Sequence, residues 1–209
     1  MASDLMLDFL FHRPQRNPRD KALDTVMSIE GQISRAEANT LMDLSSAVQS
    51  DQVIVEIGTY RGRSAVALAL GTLQGGCRRV YAVDPHVEFR GVCGGIFGPL
   101  DQAELYENVV KAQVGQIVSV ISLSSESTAK SWSLRNIGLL WIDGNHEFDA
   151  VHNDFYAWYP FVANNGIIAF HDTDVSGVDS LVKQLLAAGI VIPQGKTDTL
   201  AWFKLQDKV

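Results

Sequence analysis

The sequence predicts an α/β protein whose doubly wound sheet has seven strands, mostly parallel with an antiparallel last strand. Three observations predict this class. Short apolar runs typical of buried strands alternate with helical segments between Val53 and Phe170. The strongest run, Val53–Ile57, is followed by a glycine turn and then by a helix-forming segment. The chain ends with two short strands joined by a short connection, and strands joined in this way pair antiparallel. The expected architecture is Rossmann-like.

Composition and charge restrict the function. The chain has 209 residues, of which 46% are hydrophobic, enough for one sizeable core. Its net charge is -7, and its basic residues form no cluster longer than Arg78-Arg79, so nucleic acid is not an expected partner. The first apolar run, Leu5 to Phe11, contains Asp8 and resembles neither a signal peptide nor a membrane span. We expect a cytoplasmic protein without a membrane partner.

Residues 1–50 are predicted to be a helical extension, and residues 51–209 the main domain. Residues 13–20 carry prolines and charges and are interpreted as an exposed connector. Ser34 and Glu37 have the spacing of a capping box, so a helix should begin there. Its apolar stripe should pack on the main domain or cover a ligand cleft. The exposed extension is also a possible interface for a homo-oligomer.

The stretch from Val53 to Ser64 predicts a buried strand, a tight turn and a helix from Ser64 to Leu70. Glu56 interrupts the apolar strand. Gly58 can adopt backbone angles closed to other residues, and the first helical amides face the turn. The stretch is therefore either a cradle for a nucleotide-like ligand or an ordinary unit of an α/β domain.

A second strand, Arg79 to Val83, ends at Asp84. The interval from Glu56 to Asp84 matches the spacing at which an acidic residue at the end of the second strand binds the ribose hydroxyls of an adenosine-containing ligand. A carboxylate that caps the next turn is the alternative. His86, which follows, is expected at the surface. The glycine-rich stretch from His86 to Leu100 shows no regular period and is interpreted as a flap on the substrate side.

A third strand, Ile117 to Ile121, leads to Ser124 and Ser125. Their hydroxyls either cap the next helix or meet the edge of an adenine, and the sequence does not separate the two roles. The remaining predicted elements are helices at Asp101–Gln113, Glu147–Tyr159 and Asp179–Ala188, a turn at Asn164–Gly166, strands at Gly166–Phe170, Gly189–Pro193 and Thr199–Leu205, and an exposed connector at Gly195–Asp198.

Two neighbouring strands deliver polar side chains to one edge of the sheet. Asp143 ends an apolar strand and His146 follows it, while His171 and Asp172 end the next strand. Ligands of open α/β sheets bind beyond these carboxyl ends. Asp143, His171 and Asp172 are therefore candidate metal ligands. Oxygen ligands favour magnesium, whereas an imidazole shifts the preference toward manganese, iron or zinc.

These motifs, in this order, resemble class I S-adenosylmethionine-dependent methyltransferases. The likeness is carried by Glu56-Ile-Gly-Thr-Tyr-Arg-Gly-Arg-Ser64, Val83-Asp84-Pro85, Ile142-Asp143-Gly144-Asn145-His146 and Ala169-Phe170-His171-Asp172-Thr173. It is closest to the small-molecule O-methyltransferase branch, which includes catechol O-methyltransferases, macrolide sugar O-methyltransferases and cephalosporin hydroxylase-like proteins. It covers about residues 30 to 205.

The resemblance implies roles for individual residues. It places the methionine part of S-adenosylmethionine beside four residues of the first motif and the ribose at Asp84; the four are Glu56, Gly58, Tyr60 and Ser64. It makes Asp143, His171 and Asp172 ligands of a divalent cation, Mg or Mn, and His146 the general base. The chain departs from the pattern at His171, where metal-dependent relatives carry a carboxylate, and at Ser122-Leu-Ser-Ser125, which replaces a Gly-Asp pair.

The predicted function is transfer of a methyl group from S-adenosylmethionine to a hydroxyl of a small molecule, assisted by a metal and by His146. Asp143 is expected both to take part in catalysis and to contact the cofactor. The main alternative is a non-catalytic nucleotide-like ligand-binding or assembly module on the same fold. An NAD-dependent dehydrogenase fits less well, because the turn with Gly58 and Gly62 lacks the third glycine of that fingerprint.

Overall fold

A computed structural model describes residues 17–76, 78–134 and 136–206. The apolar run from Leu5 to Phe11 lies outside the described residues. No helix within the described part of the chain is both long and apolar enough to cross a membrane.

The sheet confirms the predicted fold class. Seven strands are ordered β5-β2-β1-β6-β7-β9-β8, and the four neighbouring pairs from β5 to β7 are parallel. β9 runs antiparallel to both β7 and β8, as predicted for the closing strands. The strands of this sheet are β1 (Val53–Ile57), β2 (Val80–Val83), β5 (Val118–Ile121), β6 (Ile137–Ile142), β7 (Val162–Phe170), β8 (Val191–Thr197) and β9 (Leu200–Leu205).

Helices cover both faces of the sheet. On one face, α1 to α4 pack on strand residues such as Ile54 and Leu139; on the other, α5 to α7 pack on Val55 and Leu140. Successive strand residues point to opposite faces, so each strand contributes to both cores. The helices are α1 (Pro18–Met27), α2 (Arg35–Ser46), α3 (Arg63–Gly75), α4 (Pro99–Lys111), α5 (Ser125–Lys130), α6 (Phe148–Trp158) and α7 (Ser176–Ala187).

The N-terminal helices share the core of the sheet. Ser34 caps α2 as predicted: its Oγ accepts from the Glu37 amide at 3.1 Å, and Glu37 Oε2 accepts from the Ser34 amide at 2.8 Å. Gly71 of α3 lets α2 approach closely, because a Cβ there would lie 2.4 Å from the Met42 carbonyl oxygen. The predicted boundary at residue 50, between a helical extension and the main domain, remains a prediction. The helices before this boundary pack against elements that follow it.

Several element boundaries differ from the prediction. The last part of the region interpreted as a connector, residues 17–20, is the start of α1, because Asn17 caps the helix and Pro18 fits its first position. Asn164 and Asn165 lie inside β7 at a register irregularity rather than in a turn before it. The expected connector after Pro193 is part of β8, since it pairs with β9 up to Thr197.

The glycine-rich flap contains short regular structure. Phe89–Arg90 (β3) and Ile96–Phe97 (β4) form a two-stranded antiparallel hairpin, and α4 begins at Pro99. The rings of Phe89 and Phe97 stack with centroids 5.9 Å apart, and Phe97 also contacts Tyr60 edge-on at 5.2 Å. These aromatic contacts hold the hairpin over the glycine turn that follows β1.

Candidate functional site

A cavity of about 500 Å³ lies beyond the carboxyl ends of the central strands. The hairpin residues Phe89 and Phe97 line it on one side and Gln32, from the α1–α2 connection, on another. Eight of the residues predicted to form the site line this one cavity: Gly58, Tyr60, Ser64, Asp84, Ser124, Ser125, Asp143 and His146.

Gly58 brings two strand ends together at the floor of the cavity. Its φ is +82°, and a Cβ at this position would lie 2.3 Å from the Asp143 carbonyl oxygen and 2.7 Å from the Gly144 Cα. Only glycine fits both the backbone angle and the space. The turn after β1 is therefore pressed against the residues that follow β6, which leaves bare backbone facing the cavity.

Asp84 organises the same turn from the end of β2. Its Oδ2 accepts from the amides of Thr59 at 2.9 Å and Tyr60 at 3.1 Å, and its Oδ1 accepts from the His86 amide at 2.9 Å. Both predicted roles of Asp84, ribose binding and turn capping, are therefore compatible with the structure, because the carboxylate caps its turn and also lines the cavity.

His86 is buried, contrary to the expectation of a surface residue. Its side chain fills the space between two turns: Nδ1 lies 3.1 Å from the Asp84 carbonyl oxygen and Nε2 lies 3.1 Å from the Tyr60 carbonyl oxygen. His86 and Tyr60 both have positive φ, 49° and 47°. Left-handed backbone in non-glycine residues is costly and tends to occur at functional sites.

Glu56 lies beneath the cavity and does not line it. The side chain is fully buried, and neither carboxyl oxygen has a hydrogen-bond partner among the described residues. Burial raises the pKa of Glu56 to about 8, and the charges of Asp143 and Asp84 act in the same direction; the nearby hydroxyls of Ser64 and Thr59 oppose it. Glu56, which was predicted to lie beside the cofactor, therefore lies one layer of residues behind the cavity wall.

Ser124 and Ser125 serve as helix-terminal residues and also face the cavity. Ser124 caps α5 by accepting from the Ser127 amide at 3.2 Å, and Ser125 Oγ accepts from the buried Trp158 Nε1 at 2.9 Å. Sequence reasoning missed Asp154, a residue of α6 that also lines the cavity. Burial raises the pKa of Asp154 to about 6, an effect that the Ser125 hydroxyl partly offsets.

The predicted acid-imidazole cluster is assembled at the ends of β6 and β7. Each of its four residues offers one potential ligand atom, and all four atoms lie within 4.8 Å of one another. His146 Nε2 lies 3.5 Å from Asp143 Oδ1 and 3.4 Å from Asp172 Oδ2. His171 Nδ1 lies 3.1 Å from Asp143 Oδ1 and 3.5 Å from Asp172 Oδ1.

Comparison with known proteins identifies the class. A family model described as a methyltransferase domain matches residues 55–173, more than half of the 209 residues. The chain belongs to the methyltransferase domain family. The resemblance deduced from the motifs is confirmed, and with it the expectation of an enzyme that transfers methyl groups.

Solved structures show the same fold over almost the whole methyltransferase. Cofactor-bound Rv0187 from MTB has 17% sequence identity and a TM-score of 0.68, over 98% of this chain and 97% of that one. An O-methyltransferase from Bacillus cereus in complex with SAH has 16% identity and a TM-score of 0.66, over 99% and 98%. TomG, an O-methyltransferase from Streptomyces achromogenes in complex with SAM, has 14% identity and a TM-score of 0.65, over 97% and 96%.

A buried carboxylate of the methyltransferase lies against His171, a contact that sequence reasoning did not predict. Glu37 of α2 lies with its Oε2 3.3 Å from His171 Nε2. Its Oε1 accepts from the Thr199 amide at 2.9 Å, the Thr199 hydroxyl at 2.8 Å and the Leu200 amide at 3.0 Å. The capping-box motif revealed Glu37 as a helix residue, but no sequence signal links it to His171, which is 134 positions away.

Electrostatics in this part of the methyltransferase follow from the three carboxylates around His171. Burial alone would lower the pKa of His171, but Asp143, Glu37 and Asp172 raise it to about 11. Burial likewise opposes ionisation of Asp143, and the imidazoles of His171 and His146 outweigh it, so the pKa of Asp143 is lowered. Asp172 itself adopts a positive φ of 48°.

Proposed function

We propose that this methyltransferase moves the methyl group of S-adenosylmethionine to a hydroxyl of a small molecule, with His146 as the general base and a divalent cation at the acid-imidazole cluster. One observation carries the proposal: the glycine turn, Asp84 and His146 all line a single cavity. A methyl donor held over Gly58 and Asp84 would thus lie within the same space as the proposed base.

The residues suit the cofactor. The floor at Gly58 is bare backbone that any side chain would fill, which allows the close approach that a nucleoside-containing ligand needs. Carboxylate oxygens at Asp84 suit the hydroxyls of a ribose. The cavity volume of about 500 Å³ is within the range of small-molecule and cofactor sites. Structural relatives in complex with SAH and SAM support the same assignment.

The donor set also suits a divalent cation. Asp143 and Asp172 offer oxygens, and His171 Nδ1 faces them while its Nε2 lies against Glu37. Imidazole ligands commonly have such a carboxylate behind the second ring nitrogen, because it fixes the ring orientation. When bound, a cation here would lower the pKa of an acceptor hydroxyl and hold it in place.

His146 has the position and chemistry required to take the acceptor proton. Its Nε2 forms no hydrogen bond of good geometry with the described residues, although Asp143 and Asp172 lie 3.5 and 3.4 Å away. A proton accepted at this nitrogen would be stabilised by the two carboxylates. Imidazole is also the side chain that enzymes use most often as a general base.

The test has two stages. Isothermal titration with S-adenosylhomocysteine should show binding, whereas NAD should not bind; the reverse result would favour the dehydrogenase alternative. Methyl transfer from labelled S-adenosylmethionine to a panel of hydroxylated compounds should then separate an enzyme from a binding module. Absence of product across a broad panel, despite tight cofactor binding, would favour the non-catalytic alternative.

Replacement of the base gives a sharper result. His146→Ala should lower turnover by about 10²- to 10⁴-fold, the usual contribution of a general base, and leave affinity for S-adenosylhomocysteine nearly unchanged. His152→Ala is the matched control, because His152 packs between Phe148 and Tyr156 and does not line the cavity. Equal turnover in the two variants would remove His146 from the mechanism.

A further inference from the structure

The cavity beyond the strand ends has an uneven distribution of charge. Arg63 is the one arginine or lysine among the described residues that line it. The carboxylates that line the same cavity are Asp84, Glu88, Asp101, Glu126, Asp143 and Asp154. Positive groups of a ligand suit most of this surface, whereas a negative group meets a permanently charged cation only at Arg63.

The guanidinium of Arg63 has no ion-pair partner among the described residues. Glu30 acts on Arg63 through space, but its carboxylate forms an ion pair with Arg61 at 2.5 Å. Burial lowers the pKa of Arg63, since it removes water from the charged group. A carboxylate supplied by a ligand would offset this loss of solvation.

The connection between α1 and α2 holds the guanidinium in place. Arg63 Nε donates to the Ile29 carbonyl oxygen at 2.7 Å, and Nη1 donates to the Ile33 carbonyl oxygen at 2.9 Å. Gly31 lies against the same side chain, because a Cβ there would be 2.8 Å from the Arg63 Cβ. Nη2 donates to none of the described residues. A guanidinium fixed before binding loses less freedom when it meets its ligand.

Arg63 also begins α3, directly after the glycine turn. Gly62 caps this helix without a side-chain hydrogen bond, and the first turn contains no acidic residue. The field of the helix therefore adds to the attraction that Arg63 exerts on a negative group. Asp84, the proposed ribose ligand, accepts from two amides of the same turn, those of Thr59 and Tyr60.

S-adenosylmethionine has one negative group, the carboxylate of its amino-acid part, beside a positive ammonium and a positive sulfonium. We propose that Arg63 binds this carboxylate and thereby makes the enzyme selective for a cofactor that carries it. The inference rests on the proposed methyl transfer and adds a residue that orients the methyl donor. The α1–α2 connection contributes by holding Arg63 for this contact.

The test compares two ligands that differ only in the carboxylate. S-adenosylhomocysteine carries it, and S-adenosyl-3-thiopropylamine keeps the adenosine, the thioether and the amine without it. Calorimetric titration of the parent protein should show that S-adenosylhomocysteine binds at least about tenfold more tightly, which corresponds to ~1.4 kcal/mol. Equal affinity for the two ligands would overturn the proposal without the need for any variant.

Arg63→Gln should remove the preference by weakening S-adenosylhomocysteine at least about tenfold and leaving the affinity for the amine nearly unchanged. A residue needed only for folding would weaken both ligands alike, so an unchanged ratio of affinities would overturn the role of Arg63. Arg61→Gln is the matched control, because Arg61 lies two positions away, pairs with Asp101 at 2.8 Å and does not line the cavity. It should keep the ratio of the parent.

Arg63→Lys keeps the positive charge and removes the planar fork of donors. This variant should therefore prefer S-adenosylhomocysteine less than the parent does and more than Arg63→Gln does. A lysine variant with no more preference than the glutamine variant would show that charge at this position does not select the ligand. That result would overturn the proposal.

The outcomes separate this inference from the proposed function. If S-adenosylhomocysteine binds the parent but the ratio of affinities does not depend on Arg63, the cofactor assignment stands and the role of Arg63 is refuted. If neither adenosyl ligand binds the parent, the proposed function is refuted, and the role of Arg63 with it.

Discussion

Glu56 shows at the residue scale how a buried charge couples stability to pH. Its carboxyl is fully buried without a hydrogen-bond partner among the described residues, and burial raises its pKa to about 8. An exposed glutamate in the unfolded chain titrates near its ordinary value of about 4.3. Between these two values the folded protein binds more protons than the unfolded chain, so the free energy of unfolding falls as pH rises.

Glu56→Gln should remove this dependence. The amide resembles the neutral acid that the folded state prefers, so the variant should gain stability relative to the parent as pH rises from 5 to 8. The difference should grow by at most about 1.4 kcal/mol per pH unit, the limit for one proton. Urea denaturation of the ligand-free proteins at pH 5, 6.5 and 8 measures it. Parallel stability curves would refute the assignment.

Glu37 contributes in the opposite direction. Burial alone would raise its pKa, but the contact with His171 and the donors from Ser34 and Thr199 lower it to about 2. A carboxyl with a lowered pKa stabilises the fold above its ordinary pKa, and this contribution is lost as pH falls toward 2. Acid should therefore weaken the attachment of α2 to the β8–β9 turn.

Glu37→Ala should cost on the order of 3 kcal/mol at neutral pH, because it leaves a buried imidazolium and several buried donors without their acceptor. Glu37→Gln, which keeps one acceptor oxygen, should cost less. Asp43→Ala is the control on the same helix, since Asp43 pairs with Arg19 at an exposed position. Denaturation by urea gives the three values, and a Glu37→Ala cost no larger than that of the control would disprove this role.

The sequence predicted those site residues that follow strand ends. Asp143, His146, His171 and Asp172 could be assigned to one place because parallel strands end at a common edge. Glu37 and Asp154 could not, because they reach the site from helix faces through contacts that depend on tertiary packing. His86 was misassigned because its burial depends on the turn at Tyr60, a distant part of the chain.

Among the elements, the turn after β1 carries the strictest backbone requirement. Gly58→Ala should destabilise the protein and abolish binding of S-adenosylhomocysteine, because the added Cβ meets main-chain atoms that cannot move freely. The loss of stability should be a few kcal/mol, larger than for an ordinary surface substitution. Calorimetric titration and thermal denaturation together measure both effects.

Gly94 supplies a matched control for this experiment. It lies at the hairpin tip with a similar positive φ of +87°, yet a Cβ there would meet nothing within 4 Å. Gly94→Ala therefore tests the backbone angle without the steric clash and should retain cofactor binding. If both alanines behave alike, the close approach of β1 and β6 is not what makes Gly58 necessary.

Element order was predictable, and element boundaries were less so. The helix predicted at Glu147–Tyr159 is present as α6, where Phe155 and Trp158 are fully buried. The hairpin formed by β3 and β4 escaped prediction because two-residue strands have no detectable period. Likewise, β8 extends through a polar stretch, since its backbone pairing with β9, and not its side chains, defines the strand.

For the whole molecule, occupancy of the proposed metal site should be visible in thermal stability. Manganese at about 100 times its dissociation constant should add about 2.7 kcal/mol to the free energy of unfolding. In a chain of this size that corresponds to a rise of about 5–10 °C in the melting temperature. Excess chelator should reverse the rise, as followed by scanning calorimetry.

Asp172→Asn provides the comparison for the metal experiment, because it removes a charged ligand at the cluster and keeps the size of the side chain. The variant should show a much smaller rise in melting temperature than the parent at the same manganese concentration. An identical rise in both proteins would mean that the ion binds elsewhere. No rise in the parent would mean that the cluster does not hold a cation.

The single cavity shared by the glycine turn, Asp84 and His146 has a kinetic consequence. Under the proposed function both substrates enter this one space, so their order of entry is constrained. Initial-rate patterns should then be those of a compulsory sequential mechanism, with the demethylated cofactor inhibiting competitively toward its parent alone. A random order of addition would show that the two substrates reach the cavity independently.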